Sequence, residues 1–324
     1  MRKRMLALLS AVGLLLAMCA CAGVNRELRI GTGTAGGNYA LLGEAIKDIL
    51  QESLPDSTFT VRQTAGSAAN LNLMQKNFLD LGIVQSNLLY NAQYGRNDYA
   101  DSGKVQGIGA VAALYPEALQ IAVPADSGLR DVMDLAGHRV SVCEEQSGTE
   151  YDVKNLLRAL AIPEAAVELV NMDYAQSAKA LEDGSIDAFA VTARVPFEAL
   201  TVLSARMPIR LLQIPEKMRQ LIWANLDQYD PLPIPADTYA GQTDEVLSVS
   251  VVALLAATDR VSSETIQKIL SVLDEAGLVM DLPGWDVFIR FHPGAAAYFG
   301  DDRLPTAQES TNGKQSFVFG SQDG

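Results

Sequence analysis

An α/β protein of two lobes is predicted from three observations. Short β-branched runs alternate with amphipathic helices along most of the chain. Gly, Ser and Thr turns join each strand to the next helix. Two breaks interrupt the alternation. Strands that alternate with helices point to mostly parallel sheets covered by helices.

The first unit is a strand over 27–32, a turn over Gly33–Gly37 and a helix over 39–52. Leu41, Leu42, Ala45, Ile46, Ile49 and Leu50 recur at helical spacing, and Pro55 with Asp56 ends the helix. The second unit is a strand over 58–63, the turn Thr64–Ser67 and a helix to Lys76, with Ser67 or Ala68 as N-cap. A short strand over 81–84 runs into Gln85 and Ser86. The third unit is a strand over 139–142, the turn Glu144–Gly148 and a helix over 149–160, with Val153, Leu156, Leu157 and Leu160 on its buried face. Strands over 167–170 and 188–191, with a helix near 176–182 between them, continue the pattern.

The breaks fall at the strand 119–123 followed by Pro124–Gly128, and at Pro231, Pro233 and Pro235. Two crossings between two α/β lobes make a hinge with a ligand cleft between them. The predicted division is 28–119 plus 236–300 for lobe 1 and 120–235 for lobe 2. The polar stretch 301–324 reads as a flexible tail.

The chain opens with Arg2, Lys3 and Arg4, then an apolar run over 5–17, then two cysteines. That is the pattern of an export signal over residues 1–20. The cysteines resemble the lipobox of bacterial lipoproteins. Cys21, preceded by the small Ala20, is the expected lipidation site, with Cys19 as the alternative. The expected location is the outer face of the cytoplasmic membrane, held by a lipid anchor.

Composition narrows the function. The net charge of the full chain is −14, and removing the +3 of the signal leaves −17. Such a surface repels nucleic acid and forces an anionic ligand to find local donors. Beyond Cys19 and Cys21 the only cysteine is Cys143, which reads as a small buried hydrophobe. His138 and His292 lie far apart with no ligand-type spacing, so no metal site is expected. No nucleophile elbow, HExxH motif or P-loop lysine occurs, which argues against an enzyme.

Gly31, Gly33 and Gly36 match G-x-G-x-x-G after a strand. A dinucleotide site is rejected, because an exported chain meets no nicotinamide pool and no acid ends the second strand. No cofactor is expected. The physics of the loop remains: free N–H groups at a helix N-terminus bind anions. Three such loops, 33–37, 64–67 and 146–149, converge on one cleft if the lobes face each other.

Eight stretches in order resemble the TAXI family of receptors for TRAP transporters. They are GTGTAGGNYALLGEAI, QTAGSAANLNLMQ, DLGIVQSNLLYNA, LYPEALQIAVPADSGLRDVMDLAGHRVSV, SGTEYDVKNLLRALAI, ALEDGSIDAFAVTARVPFEAL, IPADTYAGQ and FHPGAAAYF, spanning about residues 28 to 300. The resemblance implies a periplasmic-binding-protein-like fold. It also implies capture of a small organic acid, a glutamate-like amino acid or a dicarboxylate, and delivery to a TRAP permease.

Carried over by position, it places Thr34, Gly36, Gly37, Asn38 and Tyr39 at the ligand, with Gly66, Ser67, Gln85 and Ser86. Tyr115 lies at the lobe junction, and Ser147, Gly148, Thr149, Thr192, Ala193 and Arg194 come from the second lobe. The chain departs from the family at Ala40 and Leu41, at Cys143 and Arg194 where glycine is usual, and at Glu145–Gln146 in place of Pro-Gly. Arg194 either clamps a carboxylate through two hydrogen bonds or sits on the surface beside acids such as Glu198. Asn38, Gln85 and Tyr39 are expected to orient the ligand, and His292 to be structural.

Two rival functions keep the same residues. A sensory receptor acting on a membrane kinase would show a kinase gene as neighbour, where a transport receptor shows a permease gene. An exported enzyme would need ligand turnover.

Overall fold

The computed structural model describes residues 27–101, 103–225, 228–282 and 289–300, with side chains 223–225 excepted. The export signal, Cys19, Cys21 and the tail 301–324 lie outside the described residues.

Ten strands form one sheet in the order β2-β1-β3-β10-β4-β7-β5-β6, with β8 on β4 and β9 on β10. The first wing is β1 (Glu27–Gly31), β2 (Thr58–Arg62) and β3 (Leu81–Gln85). They pair in parallel, as βαβ crossovers require. The helices between them are α1 (Asn38–Ser53) and α2 (Ser67–Gln75), and α3 (Ser86–Tyr94) follows β3. The second wing holds β5 (Arg139–Ser141), α4 (Gly148–Ala159), β6 (Glu168–Val170), α5 (Tyr174–Glu182) and β7 (Ala188–Ala193), again with parallel β5–β6 and β5–β7 pairs. α6 (Glu198–Arg206), β8 (Ile209–Leu211), α7 (Glu216–Asn225) and β9 (Asp230–Ile234) complete that lobe.

Two long antiparallel strands join the wings: β4 (Ile108–Pro124) and β10 (Val246–Thr258). β4 is longer than the predicted strand 119–123, because Pro116 and Glu117 break an otherwise apolar run. β10 pairs with β3 over 253–257 and with β9 over 246–250. β4 pairs with β7 over 118–122. Both crossings therefore fall where Tyr115–Ala118 faces Ser250–Ala253, next to a register shift between Ala253 and Leu254. Tyr239 and Val246 pack with the Phe189, Phe197 and Leu200 cluster. The return to the first lobe thus runs inside β10, later than the 235/236 division the prolines suggest. An apolar strand buried on both faces carries no turn residue to mark where it changes lobe.

Each lobe packs helices on both faces of its wing. In the first, Ile30, Ile46, Leu50, Ile83, Leu255 and Leu270 form one cluster, closed by α8 (Ser263–Glu275) and α9 (Pro293–Phe299). Leu71, Met74, Val84 and Leu254 form the other. α1 buries a narrower stripe than predicted: Leu41 is 66% exposed, while Gly43, Ile46 and Leu50 are buried. Gly43 is required there, because a Cβ would stand 2.1 Å from Thr32 Cγ2. In the second lobe, Val140, Val153, Leu156, Leu157 and Val251 share one cluster. His292 caps α9, its Nδ1 accepting from Gly294 N–H at 3.0 Å, and is structural as expected. No helix among the described residues is long and apolar enough to cross a membrane.

Candidate functional site

The turns after β1, β2 and β3 meet the turns after β5 and β7 along the line between the lobes. A cavity of about 30 Å³ lies there, enclosed by both lobes. That is room for about two water molecules. A groove of about 590 Å³ opens beside it, with Gln63, Thr64 and Ala65 on one bank and Glu144, Glu145, Asn171 and Asp173 on the other.

From the first lobe, Thr34, Gly37, Asn38, Tyr39, Gly66, Ser67 and Gln85 line the cavity. From the second come Ser147, Gly148, Thr149, Thr192 and Ala193. The remaining expected residues do not line it. Gly36 has a positive φ of 78° and serves the turn, while Ser86 spends its Oγ accepting from Val252 N–H on β10. Tyr115 is buried at the crossing, and its hydroxyl has no hydrogen-bond partner among the described residues.

Arg194 lies outside the cavity lining. Its side chain is exposed, its charge acts on Tyr115 at the crossing, and its backbone N–H donates to Asn38 Oδ1 at 3.3 Å. Among the described residues it pairs with no acid, Glu198 included. It follows the last residue of β7, where the chain turns outward to solvent.

Ser67 is also placed differently from its predicted capping role. Gly66 is the N-cap of α2, at φ 124°, and Ser67 is the first helical residue. The Ser67 hydroxyl accepts from Gln85 N–H at 3.1 Å and stands 3.5 Å from the Tyr39 hydroxyl. Neither α1 nor α2 has a side-chain cap, and in the first turn of α2 the Ala69 N–H donates across the lobes to Gln146 O at 3.1 Å. α4 differs, because Ser147 caps it by accepting from Glu150 N–H at 3.1 Å.

The sequence reading missed Glu117, Tyr174, Gly33 and Ala65 in the lining. Glu117 is the weightiest. It comes from β4 at the crossing, is 2% exposed, and accepts from the Tyr39 hydroxyl at 2.7 Å. Burial pushes its carboxyl up to about 8, against the Tyr39 hydrogen bond; the nearby Asp152 charge adds to the rise. Its sequence signal was an acid inside a long apolar strand, which nothing local explains. Tyr174 opens α5 and packs on Gly37, where a Cβ would meet its ring at 2.8 Å.

Polar contacts join the two lobes. The Thr34 hydroxyl donates to Glu144 Oε2 at 2.5 Å, and Asn72 Nδ2 donates to Gln146 Oε1 at 3.0 Å. Deeper, Asp152 on α4 accepts from Gln85 Nε2 (2.9 Å), Asn87 Nδ2 (2.7 Å) and the Tyr229 hydroxyl (2.6 Å). Burial still lifts the Asp152 carboxyl to about 6, although these donors favour its charged form. The altered third loop keeps the backbone that glycines would give: Cys143 and Gln146 both have positive φ, 65° and 67°. Cys143 is buried and its thiol donates to Ala190 O at 3.3 Å.

The profile of the NMT1-like family matches residues 30–278. Among solved structures, one from Bordetella bronchiseptica RB50 superposes with a TM-score of 0.51 at 15% identity, covering 86% of this chain and 81% of that one. The alkanesulfonate-binding protein SsuA from Xanthomonas axonopodis pv. citri bound to MOPS gives 0.47 at 19% identity, covering 78% and 76%. An ancestral arginine-binding protein bound to arginine gives 0.48 at 14% identity, covering 78% and 92%. The architecture is two α/β lobes joined by two strand crossings over a cleft, and the Bordetella structure shares this fold.

Proposed function

Because the chain belongs to the NMT1-like family, we propose that it is an extracytoplasmic solute-binding receptor without enzymatic activity. It captures a small organic acid, a glutamate-like amino acid or a dicarboxylate, by hinged closure, and delivers it to a TRAP transporter permease. Cys21 anchors it to the membrane through lipid. The observation that carries this reading is the buried polar cavity between the lobes, lined from both sides by strand-to-helix turns. Polar groups facing each other across a hinge give a ligand more contacts in the closed form than in the open one. That difference is what drives closure.

Carboxylate binding falls to the uncapped N-termini of α1 and α2 and to the hydroxyls of Thr34 and Ser67, with Arg194 outside. The TRAP partner rests on the eight-segment resemblance. Thermal unfolding against amino acids, dicarboxylates, keto acids and short fatty acids tests the reading. A ligand at about 100 times its Kd adds roughly 2.7 kcal/mol of stability. No shift with any organic acid would reject it. Uptake of the same ligand by cells expressing the neighbouring permease, lost without the receptor, tests the partner.

A further inference from the structure

We propose that Glu117 is the counter-ion of an ammonium group on the ligand, so that the cleft selects a zwitterionic amino acid and discriminates against a dicarboxylate. This rests on the receptor reading above and narrows its ligand class.

Four observations carry it. Glu117 lines the cavity at 2% exposure, and the Tyr39 hydroxyl is its hydrogen-bond donor among the described residues. No lysine or arginine lines the cavity or pairs with Glu117 among those residues. A carboxyl buried without a cation either stays neutral or waits for one. Gln85, 1% exposed in the same lining, has its Oε1 without a hydrogen-bond partner among the described residues while its Nε2 is spent on Asp152. An ammonium brings three donors and no acceptor, which suits a carboxylate and an amide oxygen. The same lining also carries helix N-termini: α1 and α2 begin after Gly37 and Gly66 with no capping side chain. Helix N-terminal donors together with a carboxylate and an amide acceptor suit a carboxylate and an ammonium on one small molecule. A dicarboxylate would set its second charge against Glu117 with no cation between them.

The rival chemistry is a protonated Glu117 that donates to a ligand carboxylate. Glutamine can stand in for that neutral donor, but it cannot act as a counter-ion.

The test is calorimetric titration of the full chain with the twenty proteinogenic amino acids, each against the acid lacking its α-amino group, such as L-glutamate against glutarate. The expected result is at least one amino acid that binds about 30-fold or more tightly than its deaminated partner, with a similar loss in Glu117→Gln; breaking a buried charge pair typically costs that much or more. Deaminated acids binding as tightly as the amino acids would overturn the ammonium assignment and leave the receptor reading standing. So would Glu117→Gln binding like the parent. The matched pairs need no variant, so a folding defect in Glu117→Gln does not blunt the test. Binding of neither member of any pair would overturn the receptor reading, and this inference with it.

Discussion

The Tyr39 hydroxyl donates to Glu117 Oε2 at 2.7 Å, joining the first turn of α1 to the crossing strand β4 inside the cavity. Tyr39→Phe removes this donor and keeps the ring. Hydrogen bonds to charged groups contribute about 1.5–3 kcal/mol. The expected outcome is a roughly tenfold or greater loss of ligand affinity by calorimetry, and a Glu117 carboxyl that titrates higher still. Unchanged affinity would separate Tyr39 from the site.

Stability should fall as pH rises through neutrality. Glu117 sits at about 8 against an ordinary 4.5, and Asp152 at about 6 against 3.8. Both folded values are raised, so the folded chain holds protons that the unfolded chain has released. The stabilisation is full below the unfolded values and is lost as pH climbs through 6 and then 8, by up to roughly 1.4 kcal/mol per pH unit for each group. Tyr39, Tyr115 and Tyr174, the other titratable groups near Glu117, stay neutral in this window because burial raises them well above 10. Urea unfolding of the ligand-free protein between pH 5 and 8 measures the slope. Glu117→Gln should flatten its upper half; an unchanged slope would place the titration elsewhere.

Asp152→Ala strands two buried donors, Gln85 Nε2 and the Tyr229 hydroxyl, while Asn87 Nδ2 keeps the Tyr229 oxygen as acceptor. Unsatisfied buried donors cost about 1–3 kcal/mol each, partly offset by losing a buried charge. A net loss of about 3 kcal/mol is expected, a fall in Tm of roughly 5–10 °C. A Tm unchanged within a degree would mean that water replaces the carboxylate without loss.

Gly148→Ala should prop the lobes apart. Its Cβ would stand 2.2 Å from Gln85 Oε1, and that amide cannot swing freely because Asp152 holds its Nε2. Small-angle scattering with a saturating ligand should show a larger radius of gyration than the parent, with weaker binding. An identical liganded radius would show that Gln85 yields.

Arg194→Ala should change affinity by less than about twofold, since an exposed side chain away from special features contributes little. A loss of tenfold or more would return the carboxylate clamp to the cleft.

Sequence by itself determined much of this protein. Periodicity placed α1, α2 and α4 and the short parallel strands, because amphipathic spacing is a local property. Turn chemistry placed the loops at 33–37, 64–67 and 146–149, because glycine and hydroxyl residues set backbone conformation locally. These loops supply most of the cavity lining. What the tertiary structure alone decided lies on β4 and β10. Strands buried on both faces look uniformly apolar, so the point where each passes between lobes leaves no mark. Glu117 becomes part of the cavity only when Tyr39, 78 residues away, closes over it. Ser67 moves from cap to bridge because Gln85 approaches it, and Arg194 leaves the site because β7 ends one residue too soon. Burial and partnership depend on which distant segments meet, and that is a property of packing rather than of any stretch of the chain.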